Sequence, residues 1–217
     1  MRWLASLTLA ALVAVAGARA EAAEPLVSAD WLHDNLNREN LVVLDVRNGI
    51  TEDSRESFEQ GHIPGAVYSN YLKAGWRTTR DGVPGQLPEP ATLERLIGGL
   101  GIDNDDHVVV VAAGESALDM GSATRVYWTF KVLGHDAVSV LNGGHKAYAA
   151  KYPLETGWTA PRAAEFAADF QPQLVASREQ VAQALQSGTS LIDNRPEAQF
   201  VGKAKHPKAT KVGTLPG

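Results

Sequence analysis

The sequence predicts an α/β fold: a rhythm of strands and helices giving a parallel sheet with helices on both faces, followed by the start of a second copy of the same unit. Three observations carry this. Short runs of β-prone apolar residues at Leu41–Leu44, His107–Val111 and Val138–Leu141 have the composition of strands buried on both faces. Stretches with apolar residues at helical spacing alternate with them, which calls for crossover connections and parallel strands. Finally, part of the chain is written twice. Leu44-Asp45-Val46-Arg47, Phe58 and Gly61-His62-Ile63-Pro64-Gly65 return as Ile192-Asp193-Asn194-Arg195, Phe200 and Gly213-Thr214-Leu215-Pro216-Gly217. Asp193 follows Asp45 by 148 residues and Gly213 follows Gly61 by 152, and a nearly constant offset marks a duplicated unit.

In chain order, Ser28 is placed to cap a helix over Ala29–Leu36, with Trp31, Leu32 and Leu36 on one face. The first strand, Leu41–Leu44, ends on Asp45 and Arg47, at the edge of an α/β sheet where ligands bind. That pair reads either as part of a site or, as such pairs more often are, as an ion pair fixing the loop. Glu52–Gln60 is a charged surface helix. Gly61–Ala66 turns the chain, since glycine permits positive φ and Pro64 fixes its own. His62 is a ligand, a base, or more commonly in such a setting a donor that holds the turn.

Thr79–Pro90, rich in Gly and Pro, reads as a loop. Leu93, Leu96, Ile97 and Leu100 define a helix over Thr92–Leu100 that Gly101 ends. After the second strand a helix starts at Asp119–Ser122 and runs to Leu133. The third strand turns at Asn142-Gly143-Gly144 into a helix over His145–Lys151. Glu155–Gln173 has little periodicity and reads as a linker; Ser177 then caps the opening helix of the second copy, whose first strand is Leu191–Ile192. The expected organisation is an N-terminal leader at 1–20, a first domain at 26–153, a linker at 154–173 and the beginning of a second domain at 174–217.

Arg2, the apolar run Trp3–Ala18 and the small residues of Ala18-Arg19-Ala20 have the layout of a cleavable secretory signal. The run holds 16 residues, fewer than the roughly 20 of a spanning helix, so the expected product is periplasmic or secreted and free of the membrane after cleavage. The chain of 217 residues has a net charge of −5 and a pI near 5.7, which argues against nucleic acid as a partner. It contains no cysteine, which removes disulfides, thiolate metal sites and thiol catalysis within it. The six histidines show no ligand spacing, so no metal site is expected.

Chemistry is expected where a buried strand runs through a loop into a helix N-terminus, because converging N–H groups favour an anion there. After Val111 the chain supplies Ala112-Ala113-Gly114-Glu115-Ser116-Ala117-Leu118-Asp119. This loop has no strong nucleophile, Ser116 has no evident base, and Glu115 and Asp119 oppose an anion. It reads as inert.

Leu44-Asp45-Val46-Arg47, Gly61–Ala66, Arg125-Val126-Tyr127-Trp128, Gly134-His135 and Val138–Gly144 together resemble the rhodanese family of sulfurtransferases. The second copy joins the resemblance through Leu191–Arg195 and Gly213–Gly217, and the pattern is similar to the tandem form with a silent first domain. The resemblance implies transfer of sulfur from thiosulfate or 3-mercaptopyruvate to cyanide or a thiol, without a cofactor, through a persulfide on a cysteine of the second domain. That cysteine is expected beyond Gly217, the first copy's spacing placing it about 48 residues further on. No catalytic residue is expected in this chain, which alone should be inactive; Asp45, Arg47, His62 and Asp193 are motif residues, and Arg195 and Gln199 are candidates for substrate binding. Gln199 stands where tandem rhodaneses often place an anion-binding arginine. Lys203, Lys205, Lys208 and Lys211 either draw in anionic substrate or form a solvated loop. The alternative function is a non-catalytic rhodanese-like binding or interaction module.

Overall fold

Valines at alternate positions of His107–Val111 explain why the sheet needs cover on both sides. Successive strand residues point to opposite faces. Val108 and Val110 enter one core with Leu44, Trp76, Leu93, Ile97 and Phe130, while Val109 and Val111 enter a second with Leu32, Val43, Ile63 and Tyr148. Each fully buried aliphatic side chain contributes roughly 1.5–3 kcal/mol, so the four valines are a principal reason this segment lies at the centre.

The computed structural model describes residues 22–48 and 55–215. The expected leader, residues 49–54 and Pro216-Gly217 lie outside the described residues. In chain order the elements are β1 (Leu26–Val27), α1 (Ala29–Asn35), β2 (Leu41–Asp45), α2 (Arg55–Gln60), β3 (Val67–Tyr68), β4 (Thr78–Arg80), β5 (Val83–Gln86), α3 (Pro90–Gly99), β6 (His107–Val111), α4 (Ala117–Val132), β7 (Val138–Leu141), α5 (Gly144–Ala149), α6 (Arg178–Ser187) and α7 (Glu197–Phe200). The main sheet has the order β1-β7-β6-β2-β3 and is parallel throughout. Val43 pairs with Val109 and Asp45 with Val111, so the C-terminal ends of β2 and β6 lie side by side.

Ser28 and Ser116 cap α1 and α4, accepting from the N–H groups of Trp31 and Asp119. The segment expected as a Gly/Pro-rich loop, Thr79–Pro90, instead holds the antiparallel hairpin β4–β5. Asp81 and Gly82 both have positive φ, 51° and 76°, which suits a tight two-residue hairpin turn. The Asp-Gly pair was the signal; the prolines around it obscured it.

The segment expected as a linker is bound along the first domain. His62 and Glu155 exchange backbone hydrogen bonds, the Ala164 N–H donates to Gly98 O, and those of Asp169 and Gln171 donate to Leu133 O and Val132 O. Phe166, only 6% exposed, packs edge-on against Phe130. A Cβ on Gly98 would sit 2.6 Å from Ala164 O, so glycine here lets two backbones touch.

The segment expected as a second copy differs. α6 has a complete capping box between Ser177 and Gln180, yet none of the described residues from Gln171 onward is buried. The expected strand Leu191–Ile192 does not form, and Ile192 is 83% exposed. A strand exists by pairing, and β2's partners β3 and β6 have no counterparts among the described residues of this copy.

Candidate functional site

The C-terminal ends of β2, β6 and β7 converge on a cleft of about 730 Å³, walled by Arg47, Asn48 and Ser57 on one side and by Ser116, His145 and Lys146 on the other. Its floor is backbone against backbone. The His145 N–H donates to Ala112 O at 2.8 Å and the Lys146 N–H to Ala113 O at 3.0 Å. A Cβ on Gly114 would lie 2.0 Å from Gly143 O.

The loop after β6 does gather N–H groups at a helix N-terminus, and this chain fills them itself. The amides of Ala113, Gly114 and Glu115 donate to the Asp119 carboxylate at 2.8, 2.6 and 2.9 Å. Asp119 stands at the third position of α4, where Ser116-x-x-Asp119 resembles a capping box, and its carboxylate reaches back over the loop. A thiolate or an oxyanion at this cradle would compete with a covalently tethered carboxylate. Ser116 is engaged in capping α4, its Oγ accepting from the Asp119 N–H at 3.2 Å. His145 is half-buried, with Nε2 shielded from solvent and without a hydrogen-bond partner. Burial, aided by the Arg47 charge, holds its pKa below the usual histidine value, so the ring is neutral near pH 7.

Asp45, Arg47 and His62 come together as a structural unit. Arg47 Nε donates to Asp45 Oδ2 at 2.9 Å, its backbone N–H to Asp45 Oδ1 at 3.0 Å, and Nη2 to Gly61 O at 3.0 Å. His62 Nδ1 donates to Phe58 O at 2.8 Å and its ring stacks on Phe58 with centroids 4.0 Å apart. The motif thus ties the end of β2 to the turn after α2, and the guanidinium is spent on that tie.

The second copy builds the same tie. Arg195 Nε donates to Asp193 at 2.9 and 3.0 Å, and Nη2 to Gly213 O at 3.0 Å. The Arg195 side chain, followed by the Arg195 N–H, holds the Asp193 carboxyl far below the usual carboxylate range. Arg195 lines a groove of about 610 Å³ with Lys211 and Thr214, whereas Gln199, on α7, lies outside that lining. Sequence reasoning flagged Asp119 as hostile to anions but missed that it occupies the cradle. His145 and Lys146 were missed as cleft residues, and the turn Asn142–Gly144 before them was the available signal.

The fold and site define a class: a parallel α/β domain whose anion cradle at a helix N-terminus is closed by its own carboxylate. Residues 28–151 match the rhodanese-like domain, and the chain belongs to the rhodanese family. It is 34% identical over 194 residues to the thiosulfate sulfurtransferase of Rattus norvegicus, covering 85% of this chain and 63% of that protein. It is 32% identical over 202 residues to the 3-mercaptopyruvate sulfurtransferase of Homo sapiens, covering 88% and 67%. The 3-mercaptopyruvate sulfurtransferase SseA of Escherichia coli superposes with a TM-score of 0.68 at 28% identity, over 81% of this chain and 67% of SseA. Tum1 of Saccharomyces cerevisiae, at 22% identity and a TM-score of 0.72, shares the fold over 89% of this chain and 68% of Tum1. The chain spans about 63% of the length of the rat and mouse thiosulfate sulfurtransferases.

Proposed function

We propose that these residues serve a sulfurtransferase as its non-catalytic first domain and the opening of its second, with the sulfur-carrying cysteine on chain beyond Gly217. The occupied cradle carries this reading: where the fold would stabilise a thiolate, Asp119 takes the amides of Ala113, Gly114 and Glu115. The absence of cysteine from all 217 residues agrees with it.

In the proposed reaction a cysteine thiolate attacks the outer sulfur of thiosulfate. The S–S bond breaks, sulfite leaves with the electron pair, and a persulfide remains. With 3-mercaptopyruvate the C–S bond breaks instead and pyruvate departs as its enolate, which takes up a proton. Cyanide or a thiol then takes the outer sulfur and returns the thiolate. A helix N-terminus and loop amides favour both anionic states. No cofactor enters. The N-terminal apolar run supports export, so we place the reaction in the periplasm or outside the cell.

The test is thiocyanate formation from thiosulfate and cyanide. Residues 22–217 alone should give no signal above the buffer blank, while the protein that joins them to a cysteine-bearing second domain should turn over. Turnover by the chain alone would overturn the silent-domain reading. Inactivity of the joined protein with both donors would favour the binding-module function.

A further inference from the structure

The segment after Tyr152 crosses the first domain directly over the turn that carries His135. A Cβ on Gly134 would lie 2.5 Å from Asp169 O, and the Asp169 N–H donates to Leu133 O at 2.9 Å. Of residues 153–171 only Phe166 is buried, so its ring is the segment's apolar anchor. That ring lies 5.6 Å from the His135 ring, centroid to centroid, and both pack on Phe130. The other holds are hydrogen bonds. The amides of Ala164 and Gln171 donate to Gly98 O and Val132 O, that of Ala168 donates to Glu94, and Ala167 exchanges a pair with the Asn104 side chain.

His135 is 3% exposed, and its Nε2 is shielded from solvent without a hydrogen-bond partner among the described residues. A neutral imidazole can leave one nitrogen bare, but the cation carries N–H on both. Protonation in place would therefore bury a charge and a second donor beneath Phe166. The charged groups around the ring are largely engaged elsewhere. Asp136 pairs with Lys131, the Asp106 carboxylate accepts from the Asp103 N–H, and Asp103 accepts from the Asp105 N–H. Glu94 takes the Ala168 amide, His107 on β6 is bonded through Nε2 to Ser139 Oγ, and Asp169 comes from the segment itself. Burial outweighs the pull of the main-chain groups of Ala137 and Asp106 and of the Asp136 and Asp103 charges, so the His135 pKa lies below the usual histidine value.

We propose that His135 is an acid-sensitive latch: protonation of its ring displaces Phe166 and lifts the segment around it from the first domain, which lengthens the tether to the residues from Leu174 onward. A base with a depressed folded pKa contributes stability above its ordinary value of about 6.5 and loses it as the pH falls towards the lower folded value. The latch belongs to the first domain alone and stands whether or not the sulfurtransferase reading does.

The test follows amide exchange in residues 22–217 at about pH 7.5 and about pH 5.0, on either side of the ordinary histidine value, with rates expressed as protection relative to an unstructured chain. Protection at Asp169 and Gln171 should fall several-fold at the lower pH, while that of Val109 and Val110 in β6 holds. The His135 ring signal should titrate with the midpoint of that loss. In His135→Phe, which has no titrating ring, protection of the segment should be equal at the two pH values, and His135→Gln gives the same reading should the phenylalanine variant fail to fold. Phe166→Ala should leave the segment poorly protected at both. Unchanged protection in the wild type, a parallel loss in β6, or a loss that persists in the neutral variants would overturn the inference.

Discussion

Asp45–Arg47 and Asp193–Arg195 are the same device in two settings. Both arginines donate from the backbone N–H and Nε to the aspartate two residues back, and both send Nη2 to the carbonyl of the glycine that opens the following turn. The settings differ sharply. The side chains of Arg47 and Asp45 are 9% and 1% exposed, those of Arg195 and Asp193 45% and 17%. The geometry of the tie is therefore local, written in a few residues and a turn. Its energetic weight is supplied by β3, β6 and the bound segment after Tyr152, which remove the first pair from water.

The largest effect should come from breaking the buried pair. Arg47→Ala leaves Asp45 desolvated and uncompensated and should cost about 3–5 kcal/mol. Arg195→Ala should shift the urea midpoint far less, because an exposed pair gains little from its Coulomb attraction. Equal losses in the two variants would mean that the second pair is covered in solution.

A smaller effect is expected where the bound segment after Tyr152, a strap across the first domain, meets α3. Gly98 has helical φ, so alanine there would by itself stabilise the helix by about 1 kcal/mol. The Ala164 carbonyl at 2.6 Å from the new Cβ reverses the sign. Gly98→Ala should destabilise by about 1–3 kcal/mol in urea denaturation and should speed exchange at the Ala164 and Asp169 amides. A stabilised variant would show that the strap yields, and that the first copy owes it little.

The smallest effect is a titration. Asp193 has a folded-state pKa depressed by Arg195, so its contribution is present above the ordinary aspartate value of about 3.9 and is lost as the pH falls through the lower folded value. Its carboxyl ¹³C signal should titrate well below that value in the wild type and return towards it in Arg195→Gln. An unchanged midpoint in the variant would assign the shift to something other than the tie.

Much of this was legible in the chain. The valine run of β6, the caps at Ser28 and Ser177 and the helix expected over Thr92–Leu100, found as Pro90–Gly99, follow from patterns within a few residues. The carboxylates that stand at the loop after β6, Glu115 and Asp119, were also readable. The hairpin at Asp81-Gly82 was present in the sequence but outweighed by neighbouring prolines. Leu191–Ile192 has the composition of a strand and is not one.

By itself, then, the sequence determined the helix caps, the Asp-x-Arg tie and the family, because each rests on interactions between close neighbours or on the order of residues. Only the tertiary structure decided that Asp45 and Arg47 are buried, that the strap is bound through Gly98 and Phe166, and that Asp119 reaches three amides at once. These depend on desolvation and on the close approach of backbones. Both are set by which distant segments meet, and a residue's own neighbours in the chain carry no record of that.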